Sequence, residues 1–328
     1  MNKDVNHEDT SKYTDELRSL IVGMRAEYAK GNNVMQFARA QNFTPVNTSQ
    51  AILISYDLQA GTYVEEVRNF PVEHELWTKQ ISEILIPLIK PNNSILEVGV
   101  GEATTLSGVL SHLDKQPVVA LGFDISFSRI YTAMNYVTEN SQKAELFVAD
   151  IGKIPIMSDS IDIVYTSHSL EPNRGREKEL IEELLRISKK YVVLIEPIYE
   201  LASDEAKSRM DAHGYVKDLY NAAEECGAKV REYKLLDYAK NPLNPSGLII
   251  LEKTQDSNKN DSNSVQPDQT NTASQIQWMC PLTGTKLVKH NEYFISNETG
   301  IIYPIIKGIP LLRPEHAIVA SVLIDNFD

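Results

Sequence analysis

The stretch Ser94-Ile-Leu-Glu-Val-Gly-Val-Gly-Glu-Ala-Thr-Thr-Leu106 decides the fold of this 328-residue chain. Residues 94–98 form a short apolar run, which predicts a buried parallel strand. Gly99 and Gly101 end this run, and a helical pattern follows over about residues 103–113. Glycine lets the backbone approach a ligand closely, and the first N–H groups of a helix point toward it. The stretch therefore predicts a nucleotide-binding turn, while a strand–turn–helix connection without a ligand stays open.

Composition and charge limit the classes of protein to consider. The chain has 32 basic and 45 acidic residues, a net charge of −13, and 42% apolar residues. An acidic surface repels phosphate backbones, so a nucleic-acid substrate is disfavoured. Cys226 and Cys280 are far apart in sequence and suit a reducing compartment better than a disulfide scaffold. The first 20 residues lack the apolar segment of a signal peptide, and no apolar run approaches the ~20 residues of a membrane span. We therefore expect a cytoplasmic protein without a membrane segment.

Alternating strand and helix patterns follow the glycine turn. Strands are predicted over residues 117–123, 144–149, 161–166 and 191–195, with helices over 126–140 and 174–188. This alternation predicts an α/β fold with a doubly wound, mostly parallel sheet whose ligands bind at the carboxyl ends of the strands. A helical region over 203–227, interrupted at Gly214, then leads to two strands over 229–236 and 247–252. These last two strands predict an antiparallel pair at one end of the sheet.

The flanking segments divide the chain into four parts. Helical spacing predicts helices over residues 11–30, 34–40, 49–68 and 73–88, and residues 1–44 are expected to form an N-terminal helical lid. Residues 254–275 contain only two apolar residues, which predicts a flexible polar linker. The expected parts are the lid (1–44), the sheet domain (45–253), the linker (254–275) and a small C-terminal domain (276–328).

The spacing Glu97-x-Gly99-x-Gly101 resembles motif I of the class I S-adenosylmethionine-dependent methyltransferases. Ala103 stands where that family commonly has a third glycine. A dinucleotide fingerprint would instead need glycine at position 104, which is Thr104 here. The resemblance implies a Rossmann-like, mostly parallel seven-stranded sheet and S-adenosylmethionine as cofactor, with the glycine turn against its methionine and ribose part.

The same resemblance implies roles for residues at the strand ends. Asp124 ends the second strand, and a carboxylate there accepts hydrogen bonds from the ribose hydroxyls in a methyltransferase or an NAD enzyme alike. Asp150 ends the third strand, where the family contacts the adenine amino group. Ile125 follows the first of these acids, Ile151 lies beside the adenine ring, and Ser167 follows the fourth strand.

A second part of the cofactor site is expected in the helix over residues 49–68. Tyr56-Asp57-Leu58-Gln59-Ala60 resembles the family's segment that closes over the methionine end. Tyr56, Gln59 and Tyr63 are therefore candidate cofactor-binding residues. Ordinary core aromatic residues on a buried helix face stay open as the alternative.

Candidate catalytic and substrate residues follow the fourth and fifth strands. His168 is a candidate general base because imidazole titrates near neutral pH, and Glu196 is a second candidate. A histidine that only hydrogen-bonds to the backbone stays open. Arg209, His213 and Tyr215 are candidates for binding an anionic or sugar-like acceptor, with a helix–helix junction as the alternative.

The C-terminal segment contains Met279-Cys280-Pro-Leu-Thr283 and the run from Gly300 to Leu312 with its Tyr-Pro-Ile and Gly-Ile-Pro elements. It resembles the zinc-ribbon-derived activator subunit of tRNA, rRNA and translation-factor methyltransferases. Only one cysteine is in place, because Thr283, Ser296 and Thr299 stand where other ligands would fall, so no metal is predicted. The expected core of this β-rich domain consists of Leu282, Leu287, Tyr293, Phe294, Ile302, Tyr303, Ile306 and Leu311.

These features together predict methyl transfer from S-adenosylmethionine to a small-molecule acceptor such as a sugar or another biosynthetic intermediate. An RNA or protein methyltransferase is the main alternative, because the activator-like domain favours it. An NAD-dependent oxidoreductase and a non-catalytic cofactor-binding module are further alternatives. A homo-oligomer stays open.

We expect the C-terminal segment to fold without zinc, since one thiolate cannot complete a tetrahedral site. Elemental analysis of the purified full chain after mild dialysis tests this expectation. One zinc per chain would contradict it and would require ligands from elsewhere in the chain.

Overall fold

The computed structural model describes residues 7–254 and 276–322. The ten α-helices of this part are α1 (His7–Ala29), α2 (Val34–Gln41), α3 (Ser49–Leu58), α4 (Thr62–Asn69), α5 (Pro71–Leu85), α6 (Thr104–His112), α7 (Phe127–Glu139), α8 (Glu177–Ile187), α9 (Asp204–His213) and α10 (Leu219–Glu225). Its strands are β1 (Ser94–Val98), β2 (Val119–Asp124), β3 (Glu145–Val148), β4 (Ile161–Ser167), β5 (Ser188–Pro197), β6 (Lys229–Leu235), β7 (Ser246–Glu252), β8 (Trp278–Met279), β9 (Lys286–Lys289), β10 (Tyr293–Ile295), β11 (Ile301–Ile306), β12 (Ile309–Pro310) and β13 (Ile318–Val319).

The main sheet has seven strands in the order β3-β2-β1-β4-β5-β7-β6. The first five pair in parallel, whereas β7 runs antiparallel to both β5 and β6. The strand order reverses between β1 and β4, as a doubly wound topology requires. This sheet confirms the predicted fold class, which is a Rossmann-like methyltransferase fold with an antiparallel strand pair at one end.

Two apolar layers cover the faces of the sheet. Side chains from α5, α6 and α7 pack on one face, and side chains from α8 and α10 pack on the other. The central strands are buried on both faces, which is why β1 and the middle of β5 consist of nearly continuous apolar residues. Because β1 to β4 run parallel, their carboxyl ends lie at one edge of the sheet.

The helix predicted over residues 49–68 is divided into α3 and α4. Gly61 takes a left-handed backbone conformation with φ of 99°, which ends the helical path. The buried carboxylate of Glu102 accepts hydrogen bonds from the N–H groups of Gly61 (2.9 Å) and Val64 (2.8 Å). A carboxylate from the glycine loop therefore caps α4, and this contact depends on tertiary structure that the helical spacing does not contain.

Other predicted boundaries need smaller changes. The interruption at Gly214 is confirmed, because this residue ends α9 with φ of 71°. The helix predicted from residue 174 begins at Glu177 instead, since Gly175 lies in a turn with φ of 87°. The N-terminal helices α1 and α2 pack on α3 through a small apolar cluster that includes Met24, Val34 and Ala51.

Residues 276–322, here called the C-terminal module, form an antiparallel sheet in the order β12-β11-β10-β9-β8, with β13 paired to β11. The module packs against β3, the edge strand of the main sheet. The N–H of Leu312 donates to the carbonyl of Val148 (2.8 Å), and the ring of Trp278 lies 5.1 Å from that of Phe147 in a T-shaped arrangement. The connection from β3 to β4, residues 149–160, contains no helix. The module covers the face that such a helix would otherwise cover.

The core of the module differs in part from the prediction. Leu287, Phe294 and Tyr303 are buried, but Leu282 is 54% exposed and Ile306 is 46% exposed. Those two predictions are wrong because Trp278 and Cys280 complete the apolar cluster from the side of the main sheet. A strand pattern alone does not tell which face of so small a sheet is covered.

Hydroxyl groups stand at the positions where a zinc ribbon would have its other ligands. Thr285 Oγ1 lies 2.8 Å from Thr283 Oγ1 and 2.7 Å from Ser296 Oγ, and Ser296 Oγ accepts from the N–H of Thr299. Cys280 Sγ lies 3.4 Å from the Tyr303 hydroxyl. Within the described ranges, no three His, Cys, Asp or Glu side chains cluster as metal ligands.

None of the helices in the described part of the chain is long and apolar enough to cross a membrane. The predicted linker lies almost entirely outside the described residues, which resume at residue 276.

We expect Ile309→Ala to lower the free energy of unfolding of the full chain by about 2–5 kcal/mol. Ile309 is fully buried in the same apolar cluster as the α5–α7 face of the main sheet, so its loss leaves a cavity between module and sheet. Val319→Ala is the control, because Val319 is 78% exposed.

Urea unfolding measures this effect, and the two tryptophans of the chain allow each side to be followed separately. Trp77 reports on the α5 face of the sheet and Trp278 on the module, in Trp278→Phe and Trp77→Phe backgrounds respectively. If Ile309→Ala shifts only the Trp278 transition, the module and the sheet unfold independently and the expected coupling is wrong.

Candidate functional site

A pocket with about 820 Å³ of empty space opens where β1 to β4 end. Its walls come from the loops after these four strands and from α3 and α4. Eleven of the residues singled out in the sequence line it: Tyr56, Tyr63, Glu97, Gly99, Gly101, Asp124, Ile125, Asp150, Ile151, Ser167 and His168.

The glycine turn forms the floor of the pocket. Gly99 has φ of 67°, and a Cβ at this position would lie 2.3 Å from the Cβ of Ser169. Gly101 has φ of 54°, and a Cβ there would lie 3.0 Å from Nη1 of Arg129. Both positions therefore need glycine for conformation and for space. Ala103, the departure from the family pattern, also takes a left-handed conformation, with φ of 56°.

Asp124 is buried at the end of β2 and is held by the backbone. Its Oδ2 accepts from the N–H of Gly101 (3.1 Å), and its Oδ1 accepts from the N–H of Ser126 (2.9 Å). Burial raises the pKa of Asp124 above its ordinary value, although the positive charge of Arg129 opposes this. The carboxylate is thus oriented before any ligand arrives.

Arg129 is a pocket residue that the sequence analysis missed. It is 2% exposed, and its guanidinium lies 4.2 Å from the ring centroid of Tyr63 and 4.9 Å from that of Tyr56. Its Nε donates to the carbonyl of Tyr56 (3.0 Å), whereas its Nη2 is buried without a hydrogen-bond partner. The signal was present, because Arg129 lies within the apolar stripe of α7. A positively charged residue in an apolar helix stripe indicates either a ligand-binding role or a buried ion pair.

Asp150 follows β3 and points into the same pocket. Its Oδ1 accepts from the N–H of Gly152 (2.7 Å) and lies 3.9 Å from Nη2 of Arg176. Arg176 also lines the pocket and reaches Ser49 Oγ (3.3 Å), so it connects the β3 loop with α3. Ile151 lies beside these polar groups.

His168 follows β4 in a left-handed conformation with φ of 56°. Its Nε2 lies 2.7 Å from Ser246 Oγ, and its Nδ1 lies 3.2 Å from a carboxylate oxygen of Glu171. Burial alone lowers the pKa of His168, but the hydrogen bond to Glu171 and the charges of Glu171 and Glu196 outweigh burial and raise the pKa. Glu171 and Ser246 thus hold the imidazole ring from its two nitrogens, and the sequence analysis identified neither residue.

Glu196 does not line the pocket. It is 1% exposed, and its Oε1 accepts from the N–H groups of Ser169 (3.0 Å) and Leu170 (3.1 Å). Burial raises the pKa of Glu196 to about 7. This carboxyl therefore fixes the backbone of the loop that follows His168.

A second pocket, with about 960 Å³ of empty space, adjoins the first. Arg209 and Tyr215 line it together with Trp77 and Lys240. His213 does not line either pocket, because it packs on Tyr215 with ring centroids 5.4 Å apart and its Nδ1 lies 3.4 Å from Asn33 Nδ2.

Gln59 also lies away from the two pockets. It caps the C-terminal end of α3, and its amide donates to the carbonyl of Ser55 (3.0 Å). The same amide nitrogen lies 3.2 Å from Ser55 Oγ, so the side chain folds back onto α3.

Comparison with known proteins finds likeness in structure only. No family model matches the chain, and no curated protein matches it. A SAM-dependent methyltransferase from Aquifex aeolicus is 16% identical with a TM-score of 0.39, covering 52% of this chain and 88% of that chain. Magnesium protoporphyrin IX methyltransferase from Synechocystis PCC 6803, with bound SAH, is 12% identical with a TM-score of 0.48, covering 61% and 98%.

A third similar structure is a complex between the Trm112 methyltransferase activator of Haloferax volcanii and a candidate methyltransferase. It is 14% identical with a TM-score of 0.48, and the match covers 62% of this chain and 99% of that chain. At sequence identities this low, the likeness shows only that the folds are similar. The strand order of the main sheet, rather than these values, defines the fold class.

We expect the free energy of unfolding of the full chain to fall as pH rises from about 5 to 8, and Glu97→Gln to make this slope shallower. Burial raises the pKa of Glu97 from 4.5 to about 8, and the Tyr165 hydroxyl donates to its Oε2 (2.7 Å). Between these two values the folded chain holds a proton that the unfolded chain has released, so stability decreases with pH. Glutamine keeps an acceptor for the tyrosine and does not titrate.

Urea unfolding at several pH values in this range is the measurement, with Glu83→Gln on the exposed side of α5 as control. Parallel pH profiles for Glu97→Gln and the unchanged chain would contradict the raised pKa.

Proposed function

We propose that this chain is an S-adenosylmethionine-dependent methyltransferase that acts on a small-molecule acceptor. One observation carries the proposal: Glu97, Asp124 and Asp150, at the ends of three adjacent parallel strands, line one pocket together with the glycine turn. A concave pocket with a few convergent polar groups is the usual form of a small-ligand site.

The residues of the pocket fit this cofactor part by part. Asp124 is oriented by two backbone N–H groups and suits the ribose hydroxyls. Asp150 and Ile151 suit the adenine amino group and ring. The unpaired Nη2 of Arg129, beside Tyr56 and Tyr63, suits the carboxylate of the methionine part.

The chemistry asked of the protein is mainly positioning. The sulfonium group of the cofactor supplies an activated methyl group. Holding an acceptor in line with that group supplies much of the rate of such a displacement. His168 is the residue proposed to take the proton of the acceptor, because it lines both pockets and Glu171 orients its ring. Glu196 is proposed as a positioning residue for the His168 loop.

Methylation of an RNA or a protein is the second candidate function. The observation in its favour is the C-terminal module, whose sequence resembles an activator subunit and whose β12 region packs on the edge strand β3. We propose that residues 276–328 act as a degenerate activator domain in the same chain, joined to residues 45–253 by the linker. The net charge of −13 favours a small molecule over a nucleic acid.

The remaining alternatives differ in the cofactor. An NAD-dependent oxidoreductase would leave Asp150 without a role, and the chain has Thr104 at the third glycine position of a dinucleotide fingerprint. A non-catalytic module would bind the cofactor without turnover. Cys226 and Cys280 are free thiols, which agrees with the proposed cytoplasmic location.

We expect Asp124→Ala to weaken S-adenosylmethionine binding by about 1.5–3 kcal/mol, the range for loss of a charged hydrogen-bond acceptor. This corresponds to roughly a 10- to 150-fold increase in Kd. Titration calorimetry on the folded full chain measures it, with the exposed Asp114→Ala as control and melting curves to verify folding.

Titration with NADH in the same experiment separates the two enzyme classes. Binding of NADH without binding of S-adenosylmethionine would contradict the proposed function. Unchanged affinity for S-adenosylmethionine in Asp124→Ala would remove this residue from the site.

A further inference from the structure

The second pocket continues from the cofactor pocket through shared walls. Five residues line both: Tyr63, Thr104, Thr105, Ser167 and His168. An acceptor in the second pocket would therefore meet the first pocket beside His168. The chemistry of the other walls then indicates which class of acceptor fits.

Each charged side chain in the second pocket has an oppositely charged partner, except Arg209. Glu66 pairs with Lys240 (3.4 Å), and Glu171 pairs with His168 (3.2 Å). Arg209 takes part in no ion pair among residues 14–254 and 276–322, and its guanidinium forms a side-chain hydrogen bond with the neutral hydroxyl of Tyr215. Its Nη1 is buried and has no hydrogen-bond partner there. Its guanidinium lies 5.7 Å from the ring centroid of Tyr215.

An unmatched guanidinium in a pocket has a physical consequence. A buried N–H group without a partner costs free energy, and native structures leave few such groups unsatisfied. Guanidinium groups bind carboxylates and phosphates through paired hydrogen bonds. A neutral acceptor would leave both the charge and the N–H of Arg209 without a partner.

We propose that the acceptor carries an anionic group, a carboxylate or a phosphate, which Arg209 binds, and that the atom to be methylated lies toward His168. This inference rests on the proposed methyltransferase function and specifies its substrate class. The rings of Tyr63, Trp77 and Tyr215 line the same pocket and provide apolar surface for the body of a small acceptor. Lys240 contributes less to anion binding because Glu66 already neutralises it.

The test uses small probes on the full chain, with and without S-adenosylhomocysteine. Benzoate and phenyl phosphate carry the two candidate anions on a ring, and benzamide is the matched neutral probe. Titration calorimetry should show that at least one anion binds at least tenfold more tightly than benzamide. Arg209→Gln should abolish this preference, and Arg209→Lys should retain part of it.

Arg231→Gln is the matched control, because Arg231 pairs with Glu252 away from either pocket. Melting curves identify any variant that fails to fold, and the Arg209→Lys variant keeps the charge if Arg209→Gln does not fold. The relative affinities of benzoate and phenyl phosphate distinguish a carboxylate acceptor from a phosphorylated one.

Equal binding of the anions and benzamide would overturn the proposal, as would no binding of either anion at millimolar concentrations or a preference that survives in Arg209→Gln. These outcomes are independent of the cofactor titration. A chain that binds S-adenosylmethionine but shows no anion preference would retain the proposed function and lose only the acceptor class.

Discussion

The reversal of strand order between β1 and β4 is the constraint on which the rest of the structure depends. The helices α6 and α7 return the chain on one face of the sheet, whereas α8 returns it on the other. The loops after β1 and β4 therefore diverge, and a crevice opens between them at the carboxyl ends of the strands. The glycine turn and His168 follow β1 and β4, whereas Asp124 and Asp150 lie at the ends of β2 and β3, so the parallel strands bring residues from four separate segments to one edge of the sheet.

Buried acidic groups lie in this crevice and, in the case of Glu196, behind it. Glu97 and Glu196 are almost completely buried, and burial raises the pKa of both carboxyl groups, to about 8 and about 7. Asp124 is also buried, but its two carboxylate oxygens accept hydrogen bonds from two backbone N–H groups. Such a site is kept at a cost in stability, because the charged forms are poorly solvated there. The backbone N–H groups of Gly101 and Ser126 orient the acceptor oxygens of Asp124 in advance.

The C-terminal module covers apolar surface of the main sheet at its edge strand β3. The connection between β3 and β4 contains no helix, so the outer part of one sheet face would be left to solvent. An exposed edge strand with an apolar face favours aggregation. Trp278 packs on Phe147, and Leu312 donates a hydrogen bond to Val148, so the module covers both the face and the edge. Carrying this cover in the same chain gives it a high effective concentration without need for a separate partner.

The sequence by itself determined the strand–turn–helix at residues 94–106, the acids at the strand ends and the break at Gly214, because apolar periodicity and glycine conformation are local properties of the chain. Tertiary structure decided the rest. Arg129 lies between Tyr56 and Tyr63, and His168 lies between Glu171 and Ser246, because the crossovers of the sheet bring together residues that are distant in sequence. The Gln59 side chain bonds to Ser55 instead of lining the pocket, and Glu102, from another loop, fixes the start of α4 that follows the break. Contacts of this kind follow from how the elements pack, and no spacing within one element contains them.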